Sequence, residues 1–150
     1  MARVFIDPHM FSAEKEWFRG VVQELLRSAD VSFLFANCEK GVKEIAKVRQ
    51  ALAFKKRMHQ LKRAVEAGHE EVQARINWLE GQPVFDGCSD CDDPHIFAAI
   101  FLHPTRYVFT TDKRLAKCRR TIQSTVDNRY CSFIVISTSV TYHVHRAHIL

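Results

Sequence analysis

Long apolar runs are missing from this sequence. Its longest uninterrupted apolar stretches fall far short of the roughly 18 to 20 residues that a bilayer-spanning helix needs. The apolar run near the N-terminus, residues 4–6, is too short for a signal peptide. We therefore expect no membrane partner and no secretory leader.

A disulfide framework is also missing. The chain has five cysteines, an odd number, which is typical of reduced thiols in a cytoplasmic protein. Cys88 and Cys91 form a single Cys-x-x-Cys with His95 nearby, but no second pair follows at the spacing of a four-ligand zinc site. We expect no zinc, and a redox pairing of Cys88 with Cys91 stays open.

The composition predicts one folded domain with a basic surface. Of the 150 residues, 47% are hydrophobic, enough for a real core, and the formal net charge is +5. That charge favours a polyanionic partner, because lysine and arginine neutralise phosphates. A basic run is usually only a solvated helix face, but the run over residues 55–63 is free of acids. The candidate phosphate-contacting residues are Lys55, Lys56, Arg57, Lys62, Arg63, Lys113 and Arg114.

Predicted strands and helices alternate along the chain, with no hairpin signal between strands. This pattern predicts a three-layer α/β/α fold with a central, mostly parallel sheet of four to five strands. We expect a single domain over residues 1–150, with its core at about 3–136 and an edge strand or tail at 137–150. A helical pattern begins at Lys40 and is expected to end at Gly68. The predicted strands are residues 3–6, 31–35, 107–109 and 132–136.

Three aspartates stand where buried elements begin or end. Asp7 closes the first predicted strand, and Asp112 follows the apolar run Tyr107–Phe109. Asp93 precedes a proline at the start of an apolar helix, which is the usual place of a capping aspartate. Asp112 alone would likewise be read as a helix cap. Because the carboxyl ends of parallel strands lie along one edge of a sheet, we expect the three aspartates to converge there.

Glu44 is the fourth acid of this set. It lies beside Ile45 near the start of a predicted helix, where it either faces the same edge or pairs with Lys40 or Lys47 on the surface. Two like charges repel by about 4 kcal/mol at about 4 Å and an effective dielectric of about 20. Four converging carboxylates therefore need a cation, and Mg²⁺ and Mn²⁺ prefer oxygen ligands. Such an ion activates water and stabilises the charge that develops on a phosphodiester.

In their order and spacing these residues resemble the PIN-domain nucleases, over residues 3–136. The resemblance implies that Mg²⁺ or Mn²⁺ is held by Asp7, Glu44, Asp93 and Asp112. It also implies that Thr110 and Asp92 support the site by hydrogen bonding. Glu39 stays open as the alternative to Glu44, and Asp92 as the alternative to Asp93. The segments that carry the resemblance are Phe5-Ile6-Asp7, Glu44-Ile45, Asp93-Pro94-His95-Ile96-Phe97-Ala98 and Val108-Phe109-Thr110-Thr111-Asp112.

The resemblance further implies a metal-dependent endoribonuclease that leaves 5′-phosphate and 3′-hydroxyl ends, with the basic residues positioning the RNA backbone. It also implies that the protein is the toxin of a toxin–antitoxin pair, with an antitoxin as its partner. Dimerisation through helices in this family is a precedent for a homodimer. The long basic segment and the Cys-x-x-Cys loop depart from the compact toxins. The alternative is a catalytically inactive PIN-like module that binds RNA or protein. A phosphatase of the haloacid-dehalogenase type would need an aspartate two residues after Asp7, where His9 stands.

Overall fold

The computed structural model describes residues 1–12 and 16–150. It confirms the predicted three-layer α/β/α fold, with one sheet in which every recorded strand pairing is parallel. The strands are β1 (Ala2–Ile6), β2 (Val31–Ala36), β3 (Ala64–Ala67), β4 (Tyr107–Phe109) and β5 (Ile134–Ile136). Their order across the sheet is β3-β2-β1-β4-β5.

Helices cover both faces of this sheet because alternate strand residues point to opposite sides. The helices are α1 (Glu16–Arg27), α2 (Glu39–Ala46), α3 (Arg49–Gln60), α4 (His69–Glu80), α5 (Pro94–Leu102), α6 (Lys113–Gln123) and α7 (Ser139–Ile149). Val4 and Phe33 join a buried cluster with α1, α3 and α7, whereas Phe5 and Leu34 join a second cluster with α4, α5 and α6. No helix in the described ranges combines the length and apolar character that crossing a bilayer requires.

The prediction of one helical segment from Lys40 to Gly68 is wrong. The chain forms α2, breaks before α3, and then forms the edge strand β3. The end of α3 is a Schellman motif, in which Arg63 N–H donates to Met58 O and Lys62 N–H donates to His59 O. Lys62 has φ of 55°, a left-handed conformation that glycine usually supplies. Because a lysine occupies this position, the sequence contains no glycine to signal the end of the helix.

The prediction of a C-terminal edge strand or tail is also wrong. Residues 139–149 form α7, and the Thr138 side chain caps it by accepting from Thr141 N–H at 3.1 Å. Tyr142 and Ile149 are buried on its inner side, whereas Val140 and Val144 are exposed. The apolar residues therefore lie on two sides of the helix, which hid the helical period in the sequence.

The expectation of reduced cysteines is wrong for two of the five. Cys91 and Cys118 form a disulfide across 27 residues of sequence. The free thiol of Cys88 lies 3.1 Å from Cys91 Sγ. Cys91 therefore pairs with a helix residue rather than with its Cys-x-x-Cys partner, because the segment before α5 packs beside α6.

Candidate metal site at the carboxyl edge

The order in which strands are added to the sheet reverses between β1 and β4. The chain first adds β2 and β3 on one side of β1 and then returns to add β4 and β5 on the other. Ligands of open α/β sheets bind at such a switch point, outside the carboxyl ends of the strands. Asp7 follows β1 directly, and Asp112 lies three residues after β4. The fold therefore brings both aspartates to the crevice where a site is expected.

Thr110 joins the ends of these two strands. Its hydroxyl donates to Asp7 Oδ2 at 2.9 Å and accepts from Asp112 N–H at 3.0 Å. The side chain is fully buried, so this hydroxyl cannot exchange its partners for bulk water. On the other oxygen of Asp7, His9 Nδ1 lies 2.9 Å from Oδ1. Both oxygens of Asp7 are thus held in place by neighbouring side chains.

Asp112 caps α6, as its position in the sequence indicates. Its Oδ1 accepts from Arg114 N–H at 2.9 Å and from Arg114 Nε at 3.2 Å, and its Oδ2 accepts from Arg114 Nη2 at 3.2 Å. Burial acts to raise the pKa of Asp112, but the hydrogen bonds and charge of Arg114, with the charge of His9, lower it overall. Asp112 is therefore held as a carboxylate.

Glu44 faces the same crevice from α2. This helix approaches the end of β2 closely at Gly41, where a Cβ would lie 2.3 Å from the carbonyl oxygen of Ala36. Glu39 lies on the outer side of α2, where its exposed carboxylate pairs with Lys43 at 2.7 Å. Of the two glutamates that the sequence left open, Glu44 is the one that lines the cleft with Asp7, Asp93 and Asp112.

Asp93 occupies the N-cap position of α5, but its side chain makes no capping hydrogen bond. Its Oδ1 instead lies 2.7 Å from Nζ of Lys40. Burial acts to lower the pKa of Lys40, but Asp93, with the charges of Glu44 and Asp92, raises it overall. Lys40 therefore stays an ammonium inside the acid cluster. The spacing in the sequence suggested an ion pair of Lys40 with Glu44, whereas the observed partner, Asp93, is more than fifty residues away.

Asp92 lies at the rim of the cleft. Its side chain is 48% exposed, against 18% for Asp93, and it pairs with Arg114 at 3.0 Å. Asp93 is thus the better placed of the two aspartates to face a bound cation. The Asp92–Arg114 pair ties the start of α5 to the start of α6, because Arg114 also holds Asp112.

His95 was not among the predicted site residues. It is buried, and its Nε2 lies 3.3 Å from Oε2 of Glu44. Among the described residues, Nδ1 of His95 is one of three buried side-chain nitrogen or oxygen atoms with no hydrogen-bond partner. One possible ligand atom from each of Glu44, Asp93 and His95 lies within 4.8 Å of the others. The sequence feature that could have identified His95 is its position, two residues after Asp93 in an otherwise apolar helix.

The cleft that Asp7, Glu44, Asp93 and Asp112 line has a volume of about 330 Å³. Five carboxylates and three cations line it, so its formal charge is two units negative when histidine is left out of the count. The fold thus concentrates negative charge at one point of a protein whose net charge is +5. The charged lining residues are Asp7, Glu44, Asp92, Asp93, Asp112, Lys40, Lys47 and Arg114.

Most of the predicted phosphate-contacting residues lie elsewhere. The helix α3 begins beside the cleft, which Val48 lines, and ends near the start of β3, where the amino ends of the strands lie. Arg63 near these amino ends donates to the carbonyl oxygens of Val31, Leu25, Leu26 and Ser28. These contacts give Arg63 a structural role that the sequence did not indicate, because its guanidinium satisfies backbone carbonyls around the end of α1 and the start of β2.

The other basic residues of the run over residues 55–63 divide into two groups. Lys55 is mostly buried and lies 3.2 Å from Glu66 of β3, so its charge is already paired. Lys56, Arg57 and Lys62 are exposed on the outer surface. Of the predicted basic residues, Arg114 lines the cleft, and Lys113 beside it is exposed. Lys40 and Lys47 also line the cleft, although the sequence suggested them only as surface partners of Glu44. Both lysines lie on the same side of α2 as Glu44, at spacings of four and three residues, which was the available signal.

Compared with known proteins, the chain matches no family model, no curated protein and no solved structure. The resemblance to the PIN-domain nucleases is therefore one of motif order alone.

Proposed function

We propose that this protein is a metal-dependent endoribonuclease of the PIN type. The observation that carries the proposal is the convergence of Asp7, Glu44, Asp93 and Asp112 on one cleft at the β1–β4 switch point. These four acids come from four separate parts of the sequence. Two of them, Glu44 and Asp93, are not needed there to cap a helix or to complete a strand.

The donor set fits Mg²⁺ or Mn²⁺. Carboxylate oxygens are the preferred ligands of both ions, and a formal charge of two units negative matches one divalent cation. Asp7, Asp93 and Asp112 would hold the ion, with Glu44 as a further ligand or as the group that orients water. When bound, the ion would supply an activated water and stabilise charge on a phosphodiester.

Other side chains prepare the cleft for this chemistry. Thr110 and His9 fix the carboxylate of Asp7 through its two oxygens. Lys47 at the wall and Arg114 at the rim provide positive charge that can face an RNA phosphate. Because these contacts involve only the backbone of the nucleic acid, they confer affinity without sequence preference.

A second function is favoured by one specific observation. The ammonium of Lys40 lies 2.7 Å from Asp93, and Arg114 engages both oxygens of Asp112. These cations offset part of the acidic charge without any metal. The arrangement favours an inactive PIN-like module that binds RNA or protein.

Thermal unfolding with and without Mn²⁺ separates the two functions, because a ligand that binds the folded state raises the melting temperature. We expect Mn²⁺ to stabilise the wild type and to have little effect on Asp112→Asn. The matched control is Asp30→Asn, since Asp30 is exposed next to β2 at the opposite edge of the sheet. The control should respond to Mn²⁺ as the wild type does.

Cleavage is tested on the same three proteins with labelled single-stranded RNA. We expect Mn²⁺-dependent products with 5′-phosphate ends from the wild type and from Asp30→Asn, and none from Asp112→Asn. Unchanged cleavage by purified Asp112→Asn would contradict the mechanism. Stabilisation of the wild type by Mn²⁺ without cleavage of any RNA would favour the binding module.

An antitoxin partner and a homodimer belong to the same proposal and follow from the family resemblance alone, whereas the proposed cytoplasmic location follows from the odd cysteine count. A short neighbouring reading frame that encodes a DNA-binding half would support the toxin assignment. Sedimentation of the purified protein would measure its oligomeric state.

A further inference from the structure

Three cysteine sulfur atoms meet beside the candidate metal site. Cys91 and Cys118 form a disulfide, and Sγ of the free Cys88 lies 3.1 Å from Sγ of Cys91. Cys118 is buried at 1% exposure, whereas Cys88 is partly exposed in the loop before α5. A free thiol in contact with one sulfur of a disulfide is the arrangement from which thiol–disulfide exchange proceeds.

The disulfide connects two segments that supply acids to the cleft. Cys91 directly precedes Asp92 and Asp93, and Cys118 lies on α6, which Asp112 caps. The ion pair between Asp92 and Arg114 is a second tie between these segments. The disulfide and this ion pair thus both connect the segment that carries Asp93 to the helix that Asp112 caps.

We propose that Cys88, Cys91 and Cys118 form a thiol–disulfide exchange site. The Cys88 thiol releases its proton to solvent, and the thiolate attacks Sγ of Cys91. A Cys88–Cys91 bond forms as the Cys91–Cys118 bond breaks, and the leaving Cys118 thiolate takes up a proton. The number of disulfides is unchanged, so the step consumes no oxidant or reductant.

Exchange moves the disulfide from a bond between two elements to a bond within one loop. In the exchanged form, α6 is no longer joined covalently to the segment that leads to Asp93. External dithiols then meet a bond that includes the partly exposed Cys88 instead of the buried Cys118.

The rate of reduction tests the exchange directly. Oxidised protein is treated with dithiothreitol at pH 8, quenched with acid, alkylated and mapped by mass spectrometry. We expect Cys118 to be released about tenfold faster in the wild type than in Cys88→Ser, because Cys88 acts at a high effective concentration. The matched control is Cys131→Ser, which removes a free but buried thiol and should behave as the wild type does.

The disulfides of the untreated wild type can be mapped by mass spectrometry without any variant. Detection of a peptide that contains a Cys88–Cys91 bond would support the exchange. Equal rates of Cys118 release in the wild type and in Cys88→Ser, with no Cys88–Cys91 peptide, would overturn it. If Cys88→Ser does not fold, Cys88→Ala takes its place.

Exchange of the disulfide should also change the affinity of the cleft for metal, a consequence that rests on the proposed function. The affinity for Mn²⁺, measured by electron paramagnetic resonance, should be about tenfold lower in oxidised Cys118→Ser than in oxidised Cys88→Ser, in which the bond to α6 is locked. Equal affinities would overturn the link to the cleft. If no form bound Mn²⁺, the proposed function would fail, whereas the exchange would still be decided by the reduction rates.

Discussion

The hydroxyl of Thr110 donates a 2.9 Å hydrogen bond to Oδ2 of Asp7. This contact connects the ends of β4 and β1, which are neighbours in the sheet although about a hundred residues apart in sequence. The hydroxyl oxygen of Thr110 also accepts from the backbone N–H of Asp112, so one buried side chain contacts both aspartates. The separation between these two acids is therefore a property of the sheet rather than of a flexible loop.

Replacement of Thr110 by valine should weaken metal binding more than it weakens the fold. Valine keeps the shape of threonine but leaves Oδ2 of Asp7 without its donor and Asp112 N–H without its acceptor. We expect Mn²⁺ affinity to fall by about 10- to 100-fold and stability by about 1 to 2 kcal/mol. Isothermal titration and urea denaturation measure the two quantities.

The control for this variant is Thr105→Val. Thr105 is also buried, but its hydroxyl donates to His103 O at 2.7 Å at the other end of β4. This variant should lose a similar amount of stability and keep its affinity for Mn²⁺. If both variants lost affinity equally, the contact with Asp7 would have no specific role.

Removal of the Lys40 ammonium should strengthen metal binding. The Lys40→Met variant leaves Asp93 and its neighbouring acids without a compensating charge, which costs about 1 kcal/mol in the metal-free protein. A divalent cation then meets less competition, so we expect Mn²⁺ to raise the melting temperature more than in the wild type. Lys43→Met is the matched control, because Lys43 pairs with exposed Glu39 outside the cleft. A smaller Mn²⁺ effect in Lys40→Met would mean that Lys40 supports the site.

The sequence was enough to locate Asp7 and Asp112 because their positions depend on strand ends alone. An acid directly after a buried strand must lie at the carboxyl edge of a parallel sheet, wherever the rest of the chain goes. The same reasoning could not find Lys40 beside Asp93 or Cys118 beside Cys91, because these contacts depend on how separate helices pack. It missed β3 because a four-residue edge strand has little pattern, and its boundary with α3 carries no glycine.

Glu24 makes the stability of the C-terminal helix sensitive to acid. Its Oε2 accepts from Tyr142 Oη at 2.6 Å and from Arg146 Nε at 2.9 Å, which joins α1 to α7. The hydrogen bond from Arg146, followed by that from Tyr142, lowers the pKa of Glu24 below its ordinary value. A lowered folded-state pKa stabilises the protein fully above the unfolded-state pKa, and that stabilisation is lost as the pH falls through the folded-state pKa.

The wild type should therefore lose stability more steeply than Glu24→Gln between about pH 5 and pH 3. Urea denaturation at a series of pH values measures the difference, which should be largest near neutral pH. Parallel pH profiles for the two proteins would show that Glu24 is not linked to folding.

Reduction of the disulfide should destabilise the protein. Closing a loop of 27 residues restricts the unfolded chain by about 3 to 4 kcal/mol in the loop-entropy model. We expect a reductant to lower the melting temperature by about 10 °C. Cys118→Ser should lose most of this sensitivity, whereas Cys131→Ser should keep it. A melting temperature unaffected by reductant would show that the bond is absent or does not constrain the unfolded chain.

Arg63 should be important for folding and unimportant for RNA. Its guanidinium donates to four carbonyl oxygens and lies 5.3 Å from the centre of the Phe33 ring, at the edge of the sheet opposite to the cleft. Arg63→Ala should lower stability by about 2 to 4 kcal/mol, because it leaves several carbonyls without a donor. The variant that remains folded at low temperature should bind single-stranded RNA as tightly as the wild type.

Two comparisons complete this test. Arg57→Ala removes an exposed arginine from the same basic run and should leave stability within about 0.5 kcal/mol of the wild type. Lys47→Ala removes a cation from the cleft wall and should weaken RNA binding with a smaller salt dependence, since one phosphate contact is lost. A loss of RNA affinity in Arg63→Ala greater than in Lys47→Ala would assign nucleic-acid binding to α3 instead of the cleft.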